Sequence, residues 1–422
     1  MTTTADAAPP TPAMPSDRLS RRMGWTARRV IGVDVARGLA MIGMFGAHLH
    51  VARELTVADP STWLALVHGR SAILFALLAG VSVALVTGGP RPISGPAVVD
   101  FRLRTFVRAA MLFAIAGVLT SLGTPVAIIL ESYAMLFVLL LLALGWSAMR
   151  LWTAVAVLSV LGPVLTFAAR GVLMALDLYP EGSVGLLFGQ FYPVATWIVF
   201  PLAGLAIGRT DLRSLAVQLR LLGAGSLAAL LGYGAGHLSS ELAARAPWLG
   251  SQPGVGEAEG SGSFVVVEGP RSVVGSSWID RLAEVPASVL SSSVGAEPHS
   301  GTPFEVLGSG GFVIAVLGLC LLATRSWGRF PLAPVAALGS LSLTVYSVHV
   351  VAIWAMREAY WADQSLRHFA IFTVLALLAA TAWRLALGKG PLERLITWVA
   401  LRTARFTGLE HEEPAAALSS SR

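Results

Sequence analysis

The chain has 422 residues, of which 55% are apolar and only 13% charged, and its formal net charge is +6. Soluble globular proteins are about one-quarter charged, so this composition argues against a soluble domain and indicates a membrane protein. The arginines lie singly between apolar stretches, without a basic aromatic patch, so no nucleic-acid partner is expected. One cysteine, Cys320, excludes a disulfide framework and a thiolate metal site, and we expect no bound metal.

Apolar stretches recur along the chain, each near the length of about 20 residues that a membrane-crossing helix needs. Ten are predicted to span, at 30–52, 69–88, 104–122, 126–147, 151–170, 190–208, 216–237, 306–324, 332–356 and 367–387. The sequence therefore predicts an all-α, polytopic integral membrane protein with one transmembrane domain over residues 29–400. Residues 1–28 and 401–422 are expected to be disordered tails.

Basic residues concentrate in alternate loops, which contain Arg22, Arg91, Arg150, Arg209, Arg325 and Lys389. Because positively charged loops remain in the cytoplasm, both termini are expected there. Segment 238–305, rich in glycine, serine and acidic residues, would then be an external loop. The basic, amphipathic stretch GPLERLITWVALRTARF is expected to lie along the inner membrane surface.

The first predicted span contains ionisable residues at Asp34, Arg37 and His48. A charge at the centre of a membrane helix costs roughly 2.5–3.5 kcal/mol, so such residues usually serve a site or a pairing partner. Asp34 and Arg37 share one helix face. They either form an ion pair that lets the helix insert into the membrane, or they belong to a site in which Arg37 binds phosphates. His48 follows on nearly the same stripe, roughly 16 Å further along the axis. It is a candidate general base or an interfacial histidine bonded to another helix.

Further polar residues interrupt apolar segments elsewhere in the chain. His68 and Arg70 lie at the start of the second span. They are either functional groups or part of a helix start in which the side chain of Arg70 extends to the lipid headgroups. Glu131 interrupts the fourth span, where local unwinding or a re-entrant turn is expected. His50 is expected to be an interfacial bystander. Six residues of this kind are candidate acceptor-binding groups: Glu131, Tyr133, His299, Glu305, Tyr346 and His349.

Several motifs occur in a recognisable order, namely Asp34-x-x-Arg37-Gly38, His68–Leu85, Glu131–Leu142, Phe191–Arg209, Pro298–Gly311, Leu338–Val350 and GKGPLERL. With these motifs the chain resembles bacterial relatives of heparan-α-glucosaminide N-acetyltransferase, within a broader group of transmembrane acyltransferases. The resemblance extends from about residue 29 to 400. It implies acyl transfer from an acyl-CoA donor, acetyl-CoA first, to an acceptor on the other side of the membrane.

The resemblance does not decide which of two histidines is catalytic. The Arg37-x10-His48 spacing is similar to a signature of the acyltransferase-3 family, in which the histidine is regarded as catalytic. Heparan acetyltransferase instead uses a histidine shortly before its second span, and the matching position here, near Asp59, has none. His48 and His68 are therefore both catalytic candidates. Arg37, Asp34 and Arg70 are the candidates for binding the donor.

The function predicted from these features is a multi-pass acyltransferase of the bacterial plasma membrane. It would move an acetyl group from cytoplasmic acyl-CoA to an external amine or hydroxyl of a sugar or cell-envelope glycan. A transporter or permease would also use intramembrane charges and a broken helix. A non-catalytic scaffold of a cell-envelope complex is the third alternative. The sequence leaves open the acceptor, the acyl chain length and whether the protein forms a homo-oligomer.

Overall fold

The computed structural model describes residues 20, 23–25, 29–49, 55–56, 58–178, 180, 182–189, 191–245, 277–357 and 365–406. Within these residues the secondary structure is helical, without strands. The helices are α1 (Ile31–Leu49), α2 (Arg70–Val86), α3 (Pro96–Ser121), α4 (Leu130–Leu140), α5 (Ala148–Ala175), α6 (Gly182–Phe188), α7 (Val194–Trp197), α8 (Val199–Gly208), α9 (Leu215–Ala244), α10 (Trp278–Ala283), α11 (Val285–Ser292), α12 (Pro303–Ala323), α13 (Ala333–Ser340), α14 (Ser342–Ala355), α15 (Leu366–Leu387) and α16 (Pro391–Phe406).

Five helices in the described part of the chain are long and apolar enough to cross a membrane, or six if one bent pair counts as a span. They are α3, α5, α9, α12 and α15, with α13 and α14 as the bent pair. The predicted class, an all-α polytopic membrane protein, is thus confirmed. The number of spans and the side of each terminus stay predictions.

Helix α1 lies inside the bundle instead of facing lipid. Most of its residues are buried, and it packs against α2, α12, α13 and α15. Its ionisable side chains lower its hydropathy, so burial among other helices must supply partners that lipid cannot. This central position explains why the polar residues of α1 can form a site.

Glycines bring α1 and α13 into backbone contact. A Cβ atom on Gly38 would collide with the carbonyl group of Val335, and one on Gly339 would collide with the carbonyl oxygen of Asp34. Small residues at membrane helix interfaces permit this approach. Gly38 and Gly339 thus let the backbones of α1 and α13 approach closely.

Two predicted spans are broken in the structure. Segment 332–356 divides at Leu341 into α13 and α14, which are bent by 82° relative to each other. Segment 190–208 divides into α7 and α8 on either side of Ile198. Hydropathy is continuous through both breaks, so it gives no sign of them. The interruption predicted near Glu131 is present, since the chain is not helical from 123 to 129 and α4 begins only at Leu130.

The ends of several segments differ from the predicted limits. Helix α9 continues to Ala244, so the external loop predicted from residue 238 begins inside a helix, and α10 and α11 lie within its second half. Met23, assigned to the N-terminal tail, accepts hydrogen bonds on its carbonyl oxygen from Arg384 at 2.8 and 3.1 Å. Helix α16 runs to Phe406 and so enters the predicted C-terminal tail. The other tail residues lie outside the described part.

Candidate active site

Two histidines from distant parts of the chain are joined by a hydrogen bond. His48, at the end of α1, and His349, in α14, place Nδ1 and Nε2 3.0 Å apart, and their rings are stacked with 5.2 Å between centroids. His349 is fully buried. Phe45, one turn before His48, packs its ring 5.4 Å from that of His349. The candidate base His48 thus has a fixed partner within the bundle.

The hydrogen bonds of this pair determine which nitrogen carries each proton. Nδ1 of His349 lies 2.7 Å from the main-chain oxygen of Tyr346, and a carbonyl can only accept, so this nitrogen is the donor. In a neutral ring, Nε2 of His349 is then an acceptor and Nδ1 of His48 donates to it. Nε2 of His48 therefore retains a lone pair, which is the state that a general base requires.

A second pair of histidines, His68 and His299, lies in the loops before α2 and α12. Their rings meet edge to face with centroids 5.5 Å apart, and the rings of Phe191 and Tyr192 lie 6.3 and 6.0 Å from His299. Burial, with smaller contributions from nearby His68 and His48, lowers the pKa of His299 to about 4. Burial and then Arg70 lower the pKa of His68. These imidazoles are therefore neutral near pH 7 and available as proton acceptors.

Glu305 holds the loop that presents His299. Its two carboxylate oxygens accept hydrogen bonds from the backbone N–H groups of His299 at 2.7 Å and Gly301 at 2.6 Å, and from the hydroxyl of Ser300 at 3.3 Å. His299 has a φ of 65°, a left-handed conformation that is unfavourable for a residue with a Cβ atom. Glu305 was predicted to bind substrate, but its geometry is that of a group that positions His299.

Arg70 lies beside the second histidine pair. Its Nε donates to the hydroxyl of Tyr233 at 2.5 Å, and that hydroxyl lies 2.9 Å from Oγ of Ser309. Its Nη1 donates to the carbonyl oxygen of Leu66 at 2.9 Å. Arg70 thus links α2 to α9 and α12, and it lies apart from the Asp34–Arg37 cluster with which it was grouped as a donor-binding residue.

The arginine cluster lies at the opposite end of α1. Asp34 is buried and pairs with Arg29 at 2.6 Å and with Arg37 at 3.3 Å. Arg37 also donates to the hydroxyl of Ser82 in α2. One carboxylate shared by two guanidinium groups leaves a net positive charge. The predicted Asp34–Arg37 ion pair is thus present, and the cluster retains the positive charge that an anionic ligand needs.

An apolar cavity of about 70 Å³ lies one helical turn from the His48–His349 pair. Met44 is one turn before His48 on the same face of α1, and Tyr346 is one turn before His349. The walls are formed by Met44, Phe75, Leu112, Ile129, Leu130, Tyr133, Phe137, Ser342, Leu343 and Tyr346. The lining is almost wholly apolar, so the cavity suits a small apolar group.

The other predicted residues have structural contacts of different kinds. Tyr133 lines the cavity, but its hydroxyl donates to the carbonyl oxygen of Ala72 at 2.8 Å. The hydroxyl of Tyr346 lies 3.4 Å from the backbone N–H of Ile129 and is its acceptor. Glu131 accepts a hydrogen bond from Thr120 at 3.2 Å and joins α4 to α3. His50 lies outside the described residues. Within the described residues, no group of three His, Cys, Asp or Glu side chains could hold a metal ion.

Sequence reasoning missed Ser82, Phe191 and Tyr192 as contacts of the site. Arg29 belongs to the basic stretch before the first predicted span, and it is the closer partner of Asp34. Ser82 could have been found only as a small hydroxyl within the apolar second span. The aromatic pair precedes a predicted span, where rings usually indicate a membrane interface.

These observations define a helical membrane protein whose interior contains a histidine pair at one end of a central helix and an arginine cluster at the other. Residues 29–236 match the model of the family described as heparan-alpha-glucosaminide N-acetyltransferase, catalytic. A comparison with curated proteins finds no match. The family match covers just under half of the chain and supports a transmembrane acyltransferase of the acetyltransferase kind, related to heparan-α-glucosaminide N-acetyltransferase.

The matched segment covers one part of the site. It includes the arginine cluster, His48, His68 and Arg70. It ends before His299 and His349. The partner of His48 therefore comes from a part of the chain that the family match does not reach.

Proposed function

We propose that this protein transfers an acetyl group from acetyl-CoA to an amine or hydroxyl group of a sugar or cell-envelope glycan. The observation that carries the proposal is the hydrogen bond between His48 and His349. It leaves Nε2 of His48 with a lone pair, in a chain whose family consists of membrane acetyltransferases. Acetyltransferases of this family use acetyl-CoA as the donor.

The chemistry at His48 follows from that lone pair. Nε2 removes a proton from the acceptor amine or hydroxyl as this group attacks the thioester carbonyl carbon. The carbon–sulfur bond then breaks, and the CoA thiolate takes the proton from the imidazolium. Alternatively, Nε2 itself attacks the thioester carbonyl carbon and expels the CoA thiolate; the acceptor then displaces the acetyl group from the ring, and its proton passes through Nε2 to the thiolate. Both routes need the same nitrogen, and His68 is the second candidate for it.

The donor is assigned to the arginine end of α1. Arg29 and Arg37 share one carboxylate, so their net positive charge favours the phosphates of CoA. The apolar cavity near Tyr346 suits a chain as short as acetyl. The acceptor is assigned to the histidine end, where His299 and its aromatic neighbours lie.

The side of each substrate follows from the arginine distribution. The basic loops favour a cytoplasmic position for the arginine end, so acetyl-CoA would enter from the cytoplasm and the acceptor from outside. The location proposed is the bacterial plasma membrane, with the lipid bilayer around the outer helices. No nucleic-acid partner is proposed.

Donor binding distinguishes the enzyme from a transporter or scaffold. A ligand that binds only the native state increases the free energy of unfolding, by about 2.7 kcal/mol at a ligand concentration of a hundred times its Kd. The unfolding temperature rises as a result. We expect millimolar acetyl-CoA to stabilise the purified protein and Arg37→Ala to lose most of this effect. Arg150→Ala, at the start of α5, is the matched control and should keep it. If acetyl-CoA and longer acyl-CoAs produce no shift in the wild-type protein, the donor assignment is wrong.

A further inference from the structure

The N-terminal end of α14 has no local cap. The helix begins directly after the break at Leu341, and this residue supplies no side-chain hydrogen bond to the first turn. The first backbone N–H groups of any helix lack partners within the helix and need acceptors from elsewhere.

Glu393, in the first turn of α16, supplies these acceptors. Its Oε1 accepts hydrogen bonds from the backbone N–H groups of Leu343 at 2.9 Å and Thr344 at 3.1 Å. Its Oε2 accepts one from the hydroxyl of Thr344 at 2.5 Å. A carboxylate is also favoured at a helix N-terminus, where the helix dipole is positive. A residue some fifty positions away thus performs the capping role that a neighbouring side chain usually has.

The capped turn is continuous with the candidate active site. Leu343, whose N–H group Glu393 holds, is part of the cavity wall together with Ser342. The same helix carries Tyr346 and His349 within its next two turns. Any shift of the first turn therefore moves both the cavity wall and the imidazole that orients His48.

The turn before α16 is shaped for this contact. A Cβ atom on Gly390 would lie 2.6 Å from Oγ1 of Thr344 and would also collide with the carboxylate of Glu393. The backbone of Leu392 donates to Oγ1 of Thr344 at 3.3 Å. Glycine at 390 lets the start of α16 approach α14 closely enough for Glu393 to reach it.

We propose that Glu393 is a positioning residue for acyl transfer, and that it acts by fixing the first turn of α14 and so the place of His349. The inference rests on the proposed function. It adds a residue from the amphipathic C-terminal helix to the reaction, outside the segment that matches the family. Its effect should appear in the turnover number more than in the affinity for acetyl-CoA, because Glu393 bonds to the helix that carries His349, whereas Arg29 and Arg37 are held by Asp34.

The test uses the full-length protein in lipid nanodiscs with acetyl-CoA and an amino-sugar acceptor. Glu393→Ala should lower kcat about 100-fold, the scale of loss when a reacting group moves by about 1 Å, with the acetyl-CoA KM close to that of the wild type. Glu393→Gln keeps one acceptor oxygen, so its kcat should lie between those of the wild type and Glu393→Ala. Arg402→Ala, on the same helix and stacked on Trp398, is the control and should keep wild-type turnover.

A second pair of variants covers the case in which Glu393→Ala does not fold. Thr344→Val removes only the hydroxyl that Glu393 binds and should lower kcat, whereas Thr344→Ser keeps the hydroxyl and should restore it. Histidine ¹⁵N resonances, which report the hydrogen bond between His48 and His349, should change in Thr344→Val and stay unchanged in Thr344→Ser.

Wild-type turnover and resonances in both Glu393→Ala and Thr344→Val would overturn the inference alone. A wild-type protein that transfers no acetyl group would overturn the proposed function as well as the inference. A large rise of the acetyl-CoA KM in Glu393→Ala, with little loss of kcat, would also contradict the inference, since Glu393 would then serve donor binding.

Discussion

The hydrogen bonds that run from Tyr346 through His349 to His48 give the two imidazoles different tasks. His349 is fully buried and donates to a main-chain oxygen, so its ring is held in one tautomer. His48 lies at the end of α1 and is only partly buried. The first ring therefore orients, and the second presents a lone pair to a substrate.

This division predicts unequal effects of substitution. His48→Ala should lower turnover by roughly 10²–10⁴-fold, the usual contribution of a general base. His349→Ala should lower it by about 100-fold, because the base remains but loses its fixed orientation. His368→Ala, on the exposed face of α15, is the control. Steady-state kinetics with acetyl-CoA would decide. If His48→Ala and His68→Ala both keep near-normal rates, the histidine mechanism is wrong.

His299 predicts a loss of stability in acid. The pKa of His299 in the folded protein is about 4, below the usual value near 6.5. Between these two pH values the unfolded chain therefore binds a proton more readily than the folded protein does. Stability should be complete above about pH 6.5 and should fall as the pH drops towards 4, by at most ~1.4 kcal/mol per pH unit for this residue. Thermal unfolding between pH 4 and 8 should show a weaker pH dependence in His299→Gln. An unchanged dependence would contradict the assignment.

At the residue scale, the sequence predicted the polar groups of α1 and the pairing of Asp34 with Arg37, but not the partners from distant parts of the chain. The spacing of Asp34, Arg37 and His48 follows from helical geometry within one segment. His349 lies 301 residues from His48, and no local pattern relates the two positions. From the sequence, His349 was predicted only as a polar residue in an apolar segment and as a candidate for acceptor binding.

At the scale of elements, the broken helix is the feature that hydropathy could not predict. Both sides of Leu341 are apolar, so 332–356 has the composition of one continuous span. The break is stable because Glu393 provides acceptors for the N–H groups that it exposes. Helix ends are predicted from local capping residues, and a cap from α16 is not local.

The contact between α1 and α13 predicts that alanine substitution at two glycines has different effects on the free energy of unfolding. Gly38→Ala places a methyl group against Val335 and should destabilise the protein by about 1–3 kcal/mol, the usual cost of overpacking. Gly223→Ala, in α9, meets open space and should be neutral or stabilising by up to about 1 kcal/mol. Unfolding of the two variants in the same detergent would compare them. Equal stabilities would show that α1 and α13 do not approach so closely.

At the scale of the whole molecule, composition was sufficient to predict the class. The excess of apolar residues indicated a polytopic helical protein, and every predicted span has a helical counterpart among the described residues. Composition could not show which helices face lipid. Helix α1 is enclosed by other helices, whereas α9 is largely exposed on the outside of the bundle.

The orientation of the molecule is a separate prediction. The basic loops predict that residue 263 lies outside the cell and residue 420 inside. Cys320 is buried, so single cysteines at Ser263 and Ser420 can be labelled in a Cys320→Ala background. We expect a membrane-impermeant maleimide to label the first cysteine in intact cells and the second only after permeabilisation. The reverse pattern would invert the proposed direction of acyl transfer.

The most direct measurement is acetyl transfer across sealed membranes. Inside-out vesicles containing the protein would be loaded with an amino sugar and given acetyl-CoA labelled in the acetyl group on the outside. We expect labelled N-acetylated sugar within the vesicles and free CoA outside, and we expect neither product with His48→Ala. Unmodified acetyl-CoA in the medium, or labelled donor inside without acetylated sugar, would contradict a histidine-dependent transfer across the membrane.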